Sequence, residues 1–131
     1  MTTPTSRKRV LLVEDIGDAR RTLALVLSLS GFEVRTAPDG PSGLREALEW
    51  RPDVVLCDLG LPGIDGWEVA RRLRAEMGSG LLLIAISGYA TPEDVGRSLE
   101  AGFDTHIPKP PHPESLLNLL VNWPGPDQAK D

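Results

Sequence analysis

Short apolar runs alternate with helical patterns along the whole chain. Three runs, at 10–13, 54–57 and 81–86, are almost continuously apolar, as expected of strands that helices cover on both faces. Between the runs, apolar residues recur at spacings of three and four, which is typical of helices. This alternation indicates βαβ units. The predicted strands are 9–14, 33–37, 53–58, 81–86 and 104–108, and the predicted helices are 16–30, 40–50, 64–77, 92–102 and 113–122.

Glycine and proline mark the element ends at the expected places. Gly31 and Gly102 each follow a predicted helix, where a glycine commonly ends it, and Gly78 and Gly80 do so after the third. Thr91 followed by Pro92 is a typical helix start, with a hydroxyl cap and a proline in the first turn. Pro108 cannot donate a hydrogen bond to a neighbouring strand, so the fifth strand is predicted to lie at an edge.

Length, net charge and cysteine content limit the classes of protein to which this chain can belong. The 131 residues fit one domain, predicted at 9–122 between a disordered segment at 1–8 and a flexible tail at 123–131. A net charge of −5 argues against non-specific binding to nucleic acid or acidic membranes. The single cysteine, the lack of a signal peptide and the lack of a long apolar run predict a cytoplasmic protein without disulfides. Nothing in these residues remains for a second domain, so a chain that is complete would have no output domain, and output by protein contact is expected.

Polar residues suited to phosphate chemistry follow the predicted strands. Asp58 ends the third strand, Glu14 and Asp15 end the first, Ser87 follows the fourth, and Lys109 follows the fifth. The carboxyl ends of parallel strands lie side by side, and ligands bind there. We therefore expect three carboxylates, a hydroxyl and an ammonium to share one pocket.

The carboxylates admit a structural explanation and a metal-binding one. Asp15 could simply cap the first helix, and Asp58 alone could be an ordinary loop carboxylate. Two carboxylates about 4 Å apart, however, repel by about 4 kcal/mol at an effective dielectric near 20. A divalent cation removes that cost, and oxygen ligands of this kind suit Mg²⁺. The cluster of Glu14, Asp15 and Asp58 therefore favours a metal site.

The same residues suit phosphoryl transfer, which requires a nucleophile, a metal and groups that bind the phosphoryl oxygens. Asp58 is the candidate nucleophile, because carboxylates form aspartyl phosphates. Ser87 supplies a hydroxyl donor and Lys109 a compact positive charge.

Five segments of the chain resemble the receiver domain of two-component response regulators. They are Val13-Glu14-Asp15, Asp58 to Gly66, Ser87-Gly88-Tyr89, Ala101 to Asp104, and Lys109-Pro110. The resemblance covers nearly the whole chain. The chain is therefore identified as a flavodoxin-like (βα)5 domain of the α/β class, with a doubly wound five-stranded parallel sheet in the order 2-1-3-4-5.

The resemblance implies roles for individual residues. Asp58 is expected to accept a phosphoryl group from a histidine kinase or a histidine phosphotransfer protein. Glu14, Asp15, Asp58 and the backbone carbonyl of Gly60 are expected to hold Mg²⁺ or Mn²⁺. Ser87 and Lys109 are expected to bind the phosphoryl oxygens, and the Lys109–Pro110 peptide is expected to be cis.

The chain departs from the family at one position that the resemblance makes important. Receivers usually carry Tyr or Phe three residues before the lysine, where this chain has His106. With Ser87 that residue is expected to form the switch, although His106 could also be an edge-strand histidine with no such role. Gly60 and Tyr89 occupy positions that influence phosphoryl lifetime in the family, and slow to moderate autodephosphorylation is predicted.

The first helix offers a surface for a partner. Leu25 and Leu29 lie beside the stripe predicted to face the sheet, and they either dock a kinase or phosphotransfer helix bundle or are ordinary exposed leucines. The predicted sheet-facing stripe consists of Ile16, Ala19, Leu23, Val26 and Leu27. The face formed by the last two helices and the fifth strand is expected to change on phosphorylation and to bind a downstream protein. The chain is expected to be a monomer or a weak homodimer through that face.

Three other functions are weighed against the receiver. A Mg²⁺-dependent aspartyl-phosphate phosphatase of the haloacid-dehalogenase type requires a carboxylate two residues after its nucleophile, where this chain has Gly60. A nucleotide- or flavin-binding domain requires a glycine-rich or hydroxyl-rich loop after the first strand, where Glu14 and Asp15 stand. A pseudo-receiver that only binds proteins would not need the complete set of polar residues. The favoured function is a phosphorylation switch rather than an enzyme, either as a single-domain regulator or as a module of a hybrid kinase.

Overall fold

Five parallel strands form one sheet in the computed structural model, which describes residues 8–88 and 91–122. The strands are β1 (Arg9–Val13), β2 (Glu33–Ala37), β3 (Val54–Asp58), β4 (Leu82–Ser87) and β5 (Thr105–Pro108). The helices are α1 (Gly17–Leu29), α2 (Gly40–Trp50), α3 (Gly66–Met77), α4 (Pro92–Ala101) and α5 (Pro113–Asn122). The strand order is β2-β1-β3-β4-β5, which confirms the predicted flavodoxin-like α/β fold.

The sheet separates two hydrophobic layers. One layer packs α2, α3 and α4 against it, through residues such as Ala47, Leu73 and Ala101. The other layer packs α1 and α5, through Leu27 and Leu120. Alternate residues of β1, β3 and β4 point into opposite layers, which is why these strands are apolar at nearly every position.

The element ends follow local chemistry. Helix α3 begins two residues later than predicted, because the Asp65 side chain is the cap and accepts the Glu68 N–H at 2.9 Å. Thr91 caps α4 as predicted, and Gly102 ends that helix with a φ of 117°, which is left-handed backbone that suits glycine. A short 3-10 turn at Gly78–Gly80 was not predicted.

The edge strands are β2 and β5, and the edge position of β5 is the one that its proline predicted. Among the described residues, no helix combines the length and the apolar character that crossing a bilayer requires. The predicted tail at 123–131, residues 1–7 of the predicted N-terminal segment, and Tyr89 lie outside the described residues.

Candidate functional site

The carboxyl ends of neighbouring strands bring the three acidic side chains together. Glu14 follows β1, Asp58 ends β3, and these two strands pair in the sheet. Glu14, Asp15 and Asp58 each offer a carboxylate oxygen, and these oxygens lie within 4.8 Å of one another. Glu14 and Asp58 are buried, whereas Asp15 is exposed. Burial strengthens the repulsion within such a group, so the cluster needs a nearby positive charge.

Lys109 supplies a positive charge between the two buried carboxylates. Its Nζ lies 2.8 Å from Asp58 Oδ2 and 3.2 Å from Glu14 Oε1. Burial works against the ammonium form, but the hydrogen bond and charge of Asp58, together with Glu14, raise the pKa of Lys109 overall. The lysine backbone is fixed by an N–H···O bond of 2.9 Å to the Ser87 carbonyl, and the Lys109–Pro110 peptide is cis, as expected.

Each buried carboxylate also accepts one backbone N–H. Asp58 Oδ1 accepts the Gly60 N–H at 2.9 Å, and Glu14 Oε2 accepts the Ile16 N–H at 3.0 Å. Burial raises the pKa of the Glu14 carboxyl, and the charge of Asp58 acts in the same direction, against the opposing effects of the Ile16 N–H and Lys109. One oxygen of each group is therefore held by the backbone while the other faces the lysine.

Asp15 does not cap the first helix. The cap position of α1 is Ile16, and no side chain caps the helix there. Among the described residues, the Asp15 carboxylate forms neither a hydrogen bond nor an ion pair. The capping interpretation of Asp15 is therefore wrong, and its carboxylate stands exposed beside the two buried ones.

The remaining predicted site residues lie at or near the same edge of the sheet. Ser87 is the last residue of β4, one position beyond Ile86, which pairs with Asp58. Gly60 lies in the loop after β3. His106 lies further back along β5, opposite Ala85, and its buried Nε2 has no hydrogen-bond partner among the described residues.

The donor set fits a hard divalent cation. Three carboxylates within 4.8 Å of one another provide only oxygen ligands, and Mg²⁺ prefers such ligands. Lys109 already places a positive charge between two of the carboxylates, so the pocket is built to surround a cation. Glu14, Asp15 and Asp58 are the side chains that would hold the ion.

A groove of about 460 Å³ extends from this pocket along α1. Glu14 and Lys109 belong to both the pocket and the groove, and the opposite wall is formed by the prolines of the β5–α5 loop. The remaining wall includes Ile16, Ala19, Leu23 and Val26 on the α1 side. The pattern of apolar residues had not predicted this groove.

The groove corrects the predicted packing of α1. Ile16 and Ala19 are exposed, not packed on the sheet, whereas Leu23, Ala24 and Leu27 belong to the core on this side. Ile16 is the cap residue with extended backbone, so its side chain does not follow the helical periodicity. The leucines predicted to dock a partner are exposed, Leu25 by 59% and Leu29 by 79%.

Two groups of contacts near the site were missed by sequence reasoning. Arg20 donates from Nη1 to the Glu14 carbonyl at 2.8 Å. Trp67, near the start of α3, donates from its indole N–H to the buried Ser98 hydroxyl of α4 at 3.0 Å. The Arg97 guanidinium lies over the Trp67 ring, 3.8 Å from its centre. Residue spacing in the sequence does not predict these contacts, because they depend on the conformations of long side chains that reach from one element to another.

Comparisons with known proteins agree with this geometry. The model of the "Response regulator receiver domain" family matches residues 10–121. The transcriptional regulatory protein PrrA of Mycobacterium leprae is 42% identical over 110 residues, which cover 84% of this chain and 47% of that protein. The DNA-binding response regulator MtrA of Mycobacterium tuberculosis H37Rv is 39% identical over 113 residues, covering 86% and 49%.

Solved structures of receiver proteins share the fold of this chain. A CheY-like receiver domain protein from Methanospirillum hungatei superposes with a TM-score of 0.83 at 31% identity, covering 88% of this chain and 92% of that one. The chemotaxis protein CheY4 of Vibrio cholerae superposes with a TM-score of 0.84 at 28% identity, covering 88% and 98%. The chain spans about half the length of the curated relatives it matches. With the family model matching most of its length, the chain belongs to the response regulator receiver domain family.

Proposed function

We propose that this chain is a phosphoacceptor switch, in which Asp58 takes a phosphoryl group from the phosphohistidine of a histidine kinase or a histidine phosphotransfer protein. The observation that carries the proposal is the Lys109 ammonium, which lies 2.8 Å from Asp58 and 3.2 Å from Glu14 at the strand ends. A nucleophilic carboxylate and a cation for the phosphoryl oxygens are thus already in contact.

The transfer uses groups that the pocket holds in position. An oxygen of Asp58 attacks phosphorus as the bond from phosphorus to the donor imidazole nitrogen breaks, and the imidazole keeps that electron pair. Lys109 then has phosphoryl oxygens as well as carboxylates to contact, and Ser87, at the end of the neighbouring strand, offers a hydroxyl. Glu14, Asp15, Asp58 and the Gly60 carbonyl would hold Mg²⁺, which would supply positive charge to offset the carboxylates and the phosphoryl group.

A direct test is the intact mass of the chain after incubation with acetyl phosphate. We expect one added phosphoryl group that requires Mg²⁺ and that is absent from Asp58→Asn. Lys109→Met keeps the nucleophile and is expected to react more slowly. Wild-type protein that binds Mg²⁺ but gains no phosphoryl group from acetyl phosphate or from phosphoramidate, a phosphohistidine analogue, would refute the proposal.

Phosphorylation is proposed to change protein contacts through the surface of α4, β5 and α5. Ser87 is expected to move toward the phosphoryl group and His106 to change rotamer with it. The buried His106 Nε2 supports this role: it has no hydrogen-bond partner in the part of the chain that the structure describes, and another rotamer could supply one. If His106→Ala leaves both the phosphorylation-induced spectral change and partner affinity unaltered, His106 is not the switch.

A downstream protein or a second copy of the chain is proposed to bind that surface. Leu99 of α4 and Val121 of α5 are exposed apolar residues on two of its elements. The relatives' names describe transcriptional and DNA-binding proteins of about twice the matched length, and no nucleic-acid contact is proposed for this domain. Sedimentation with and without beryllofluoride, a phosphoryl mimic, is expected to show at most weak dimers, which Leu99→Ser would weaken further.

The phosphodonor protein is proposed to dock on α1, over Leu25, Leu29 and the groove that begins at Glu14 and Lys109. Continuity between this groove and the phosphoryl pocket supports the proposal, because a docked donor must reach Asp58. Leu25→Ser and Ile16→Ser are expected to slow transfer from a kinase but not from acetyl phosphate. Leu48→Ser, on α2 and 36% exposed, is the matched control and is expected to affect neither.

A further inference from the structure

The loop between β1 and α1 carries two of the three carboxylates but lacks the usual means of fixing a helix start. Its cap residue, Ile16, has no side chain that can accept a hydrogen bond from the first turn, although its own N–H donates to Glu14 Oε2 at 3.0 Å. The Asp15 carboxylate is without a hydrogen-bonding partner among the described residues. The carbonyl groups of Glu14 and Asp15 therefore need another partner, since the orientation of their peptide groups determines where both carboxylates point.

Arg20 reaches back from the first turn of α1 to this loop. Its Nη1 donates to the Glu14 carbonyl at 2.8 Å and lies 3.4 Å from the Asp15 carbonyl. Its own backbone N–H bonds to the Ile16 carbonyl at 2.9 Å. The side chain and main chain of one residue therefore bond to carbonyls of three consecutive residues.

The neighbouring arginine behaves differently. Arg21 forms an exposed ion pair with Asp18 at 2.6 Å, the common pairing of charges three residues apart on a helix. Arg20 forms no ion pair with a carboxylate among the described residues, although it bonds to the backbone of both Glu14 and Asp15. Its guanidinium is used for backbone carbonyls, where a planar group with several donors fixes geometry better than a lysine would.

We infer that Arg20 is the positioning residue of the metal site: it holds the backbone that presents Glu14 and Asp15 to Mg²⁺. The inference rests on the proposed function, because it concerns the ion that function requires. Groups that orient metal ligands without touching the metal commonly change metal affinity by a factor of 10–100.

The charge of Arg20 and its hydrogen bonds to the loop have opposite expected effects on Mg²⁺ affinity, so substitutions can separate the two. Arg20 adds a positive charge beside a cation site, so removing the charge alone should strengthen Mg²⁺ binding. Removing the hydrogen bonds that position the loop should weaken it. Arg20→Gln removes both, and Arg20→Lys keeps the charge but loses the planar group. Arg21→Gln makes the same charge change one residue away and is the matched control.

The experiment is a Mg²⁺ titration of each variant of the 131-residue chain, in which amide chemical shifts report binding. We expect Arg20→Gln to raise the Mg²⁺ dissociation constant about tenfold and Arg20→Lys about threefold, with Arg21→Gln within about twofold of wild type. Phosphorylation by acetyl phosphate should then be slower at low Mg²⁺ but within about twofold of wild type at saturating Mg²⁺.

Two results would overturn the inference. One is Arg20→Gln protein that is folded, by its amide spectrum, and binds Mg²⁺ as tightly as wild type or as Arg21→Gln. The other, should Arg20→Gln fail to fold, is Arg20→Lys with an unchanged dissociation constant. A wild-type chain that binds Mg²⁺ but takes no phosphoryl group would refute the proposed function, while the dissociation constants of the variants would still decide the role of Arg20.

Discussion

Gly66 shows how closely α3 packs against the residue proposed to carry the phosphoryl group. A Cβ added there would lie 2.6 Å from the Asp58 carbonyl oxygen and 2.8 Å from Leu59 Cα, both backbone atoms that cannot easily move. The Gly66 N–H also bonds to the Leu59 carbonyl at 3.2 Å. The absence of a side chain therefore lets the start of α3 rest directly on the end of β3.

We predict that Gly66→Ala lowers the free energy of unfolding by about 1–3 kcal/mol, because the new methyl group must displace backbone. Urea unfolding followed by circular dichroism measures the change. Gly96→Ala is the matched control, since α4 offers open space around that position, and it is expected to stabilise by about 0.5–1 kcal/mol. Equal effects of the two substitutions would contradict the packing argument.

The buried Nε2 of His106 is expected to affect the free energy of unfolding. This nitrogen is buried and has no partner in residues 8–88 and 91–122, and leaving a buried polar group unpaired costs about 1–3 kcal/mol. We predict that His106→Leu, a substitution of similar size, raises the free energy of unfolding by about 1 kcal/mol. His112→Leu, at an exposed position, is the control and should change stability by less than about 0.5 kcal/mol. A loss of stability in His106→Leu would mean that the ring makes a polar contact.

At the scale of single residues, the convergence of Glu14, Asp15, Asp58 and Lys109 was predictable because it depends only on where parallel strands end. Strand ends are set by apolar runs, which the sequence displays directly. The unpaired Nε2 of His106 and the reach of Arg20 depend on side-chain conformations, and neither leaves a periodic signal in the sequence.

At the scale of secondary-structure elements, side-chain contacts join α3 to α4. Trp67 of α3 and Ser98 of α4 share a hydrogen bond of 3.0 Å, and Ser98 is fully buried. Arg97 of α4 stacks on the same indole, 3.8 Å from its centre, which is close enough for a cation–π contact. Since α4 belongs to the surface proposed to switch, this pair fixes α4 to the helix that starts beside Asp58.

We predict that Ser98→Ala lowers the free energy of unfolding by about 1–2 kcal/mol, because it leaves the partly buried indole N–H unpaired. Trp67→Phe removes the same bond from the other side. The double variant should therefore lose less than the sum of the single losses, by at least about 0.5 kcal/mol in a double-mutant cycle. Ser115→Ala, at an exposed position on α5, should be neutral. Strictly additive losses would show that the two side chains do not interact.

Helix α1 shows where element-scale prediction fails and why. Its limits were predicted to within one residue, yet the side facing the sheet was placed incorrectly at its start. Leu23 and Leu27 pack as expected, but Ile16 and Ala19 face a groove, because the start of the helix borders the β5–α5 loop, whose prolines form the opposite wall. Periodicity gives the apolar face of a helix, not how much of that face a neighbour covers.

At the scale of the whole molecule, the strand order follows from which strands are covered. β1, β3 and β4 are buried along nearly their full length, and β2 and β5 are more exposed at the edges. The sequence displays this difference as continuous apolar runs against mixed ones. The same order brings residues 14, 58 and 109 together from segments that would be far apart in an unfolded chain.

That separation leads to a prediction about stability. A ligand that binds only the folded chain stabilises it, by about 2.7 kcal/mol at a concentration of 100 times its dissociation constant. Glu14 and Asp58 come together only on folding, so Mg²⁺ at that concentration should raise the free energy of urea unfolding by about this amount, measured by circular dichroism. KCl at equal ionic strength is the control for screening, and Asp58→Asn should respond less than wild type. An equal rise with KCl would mean that the carboxylates respond to ionic strength alone, and that the strand ends form no specific cation site.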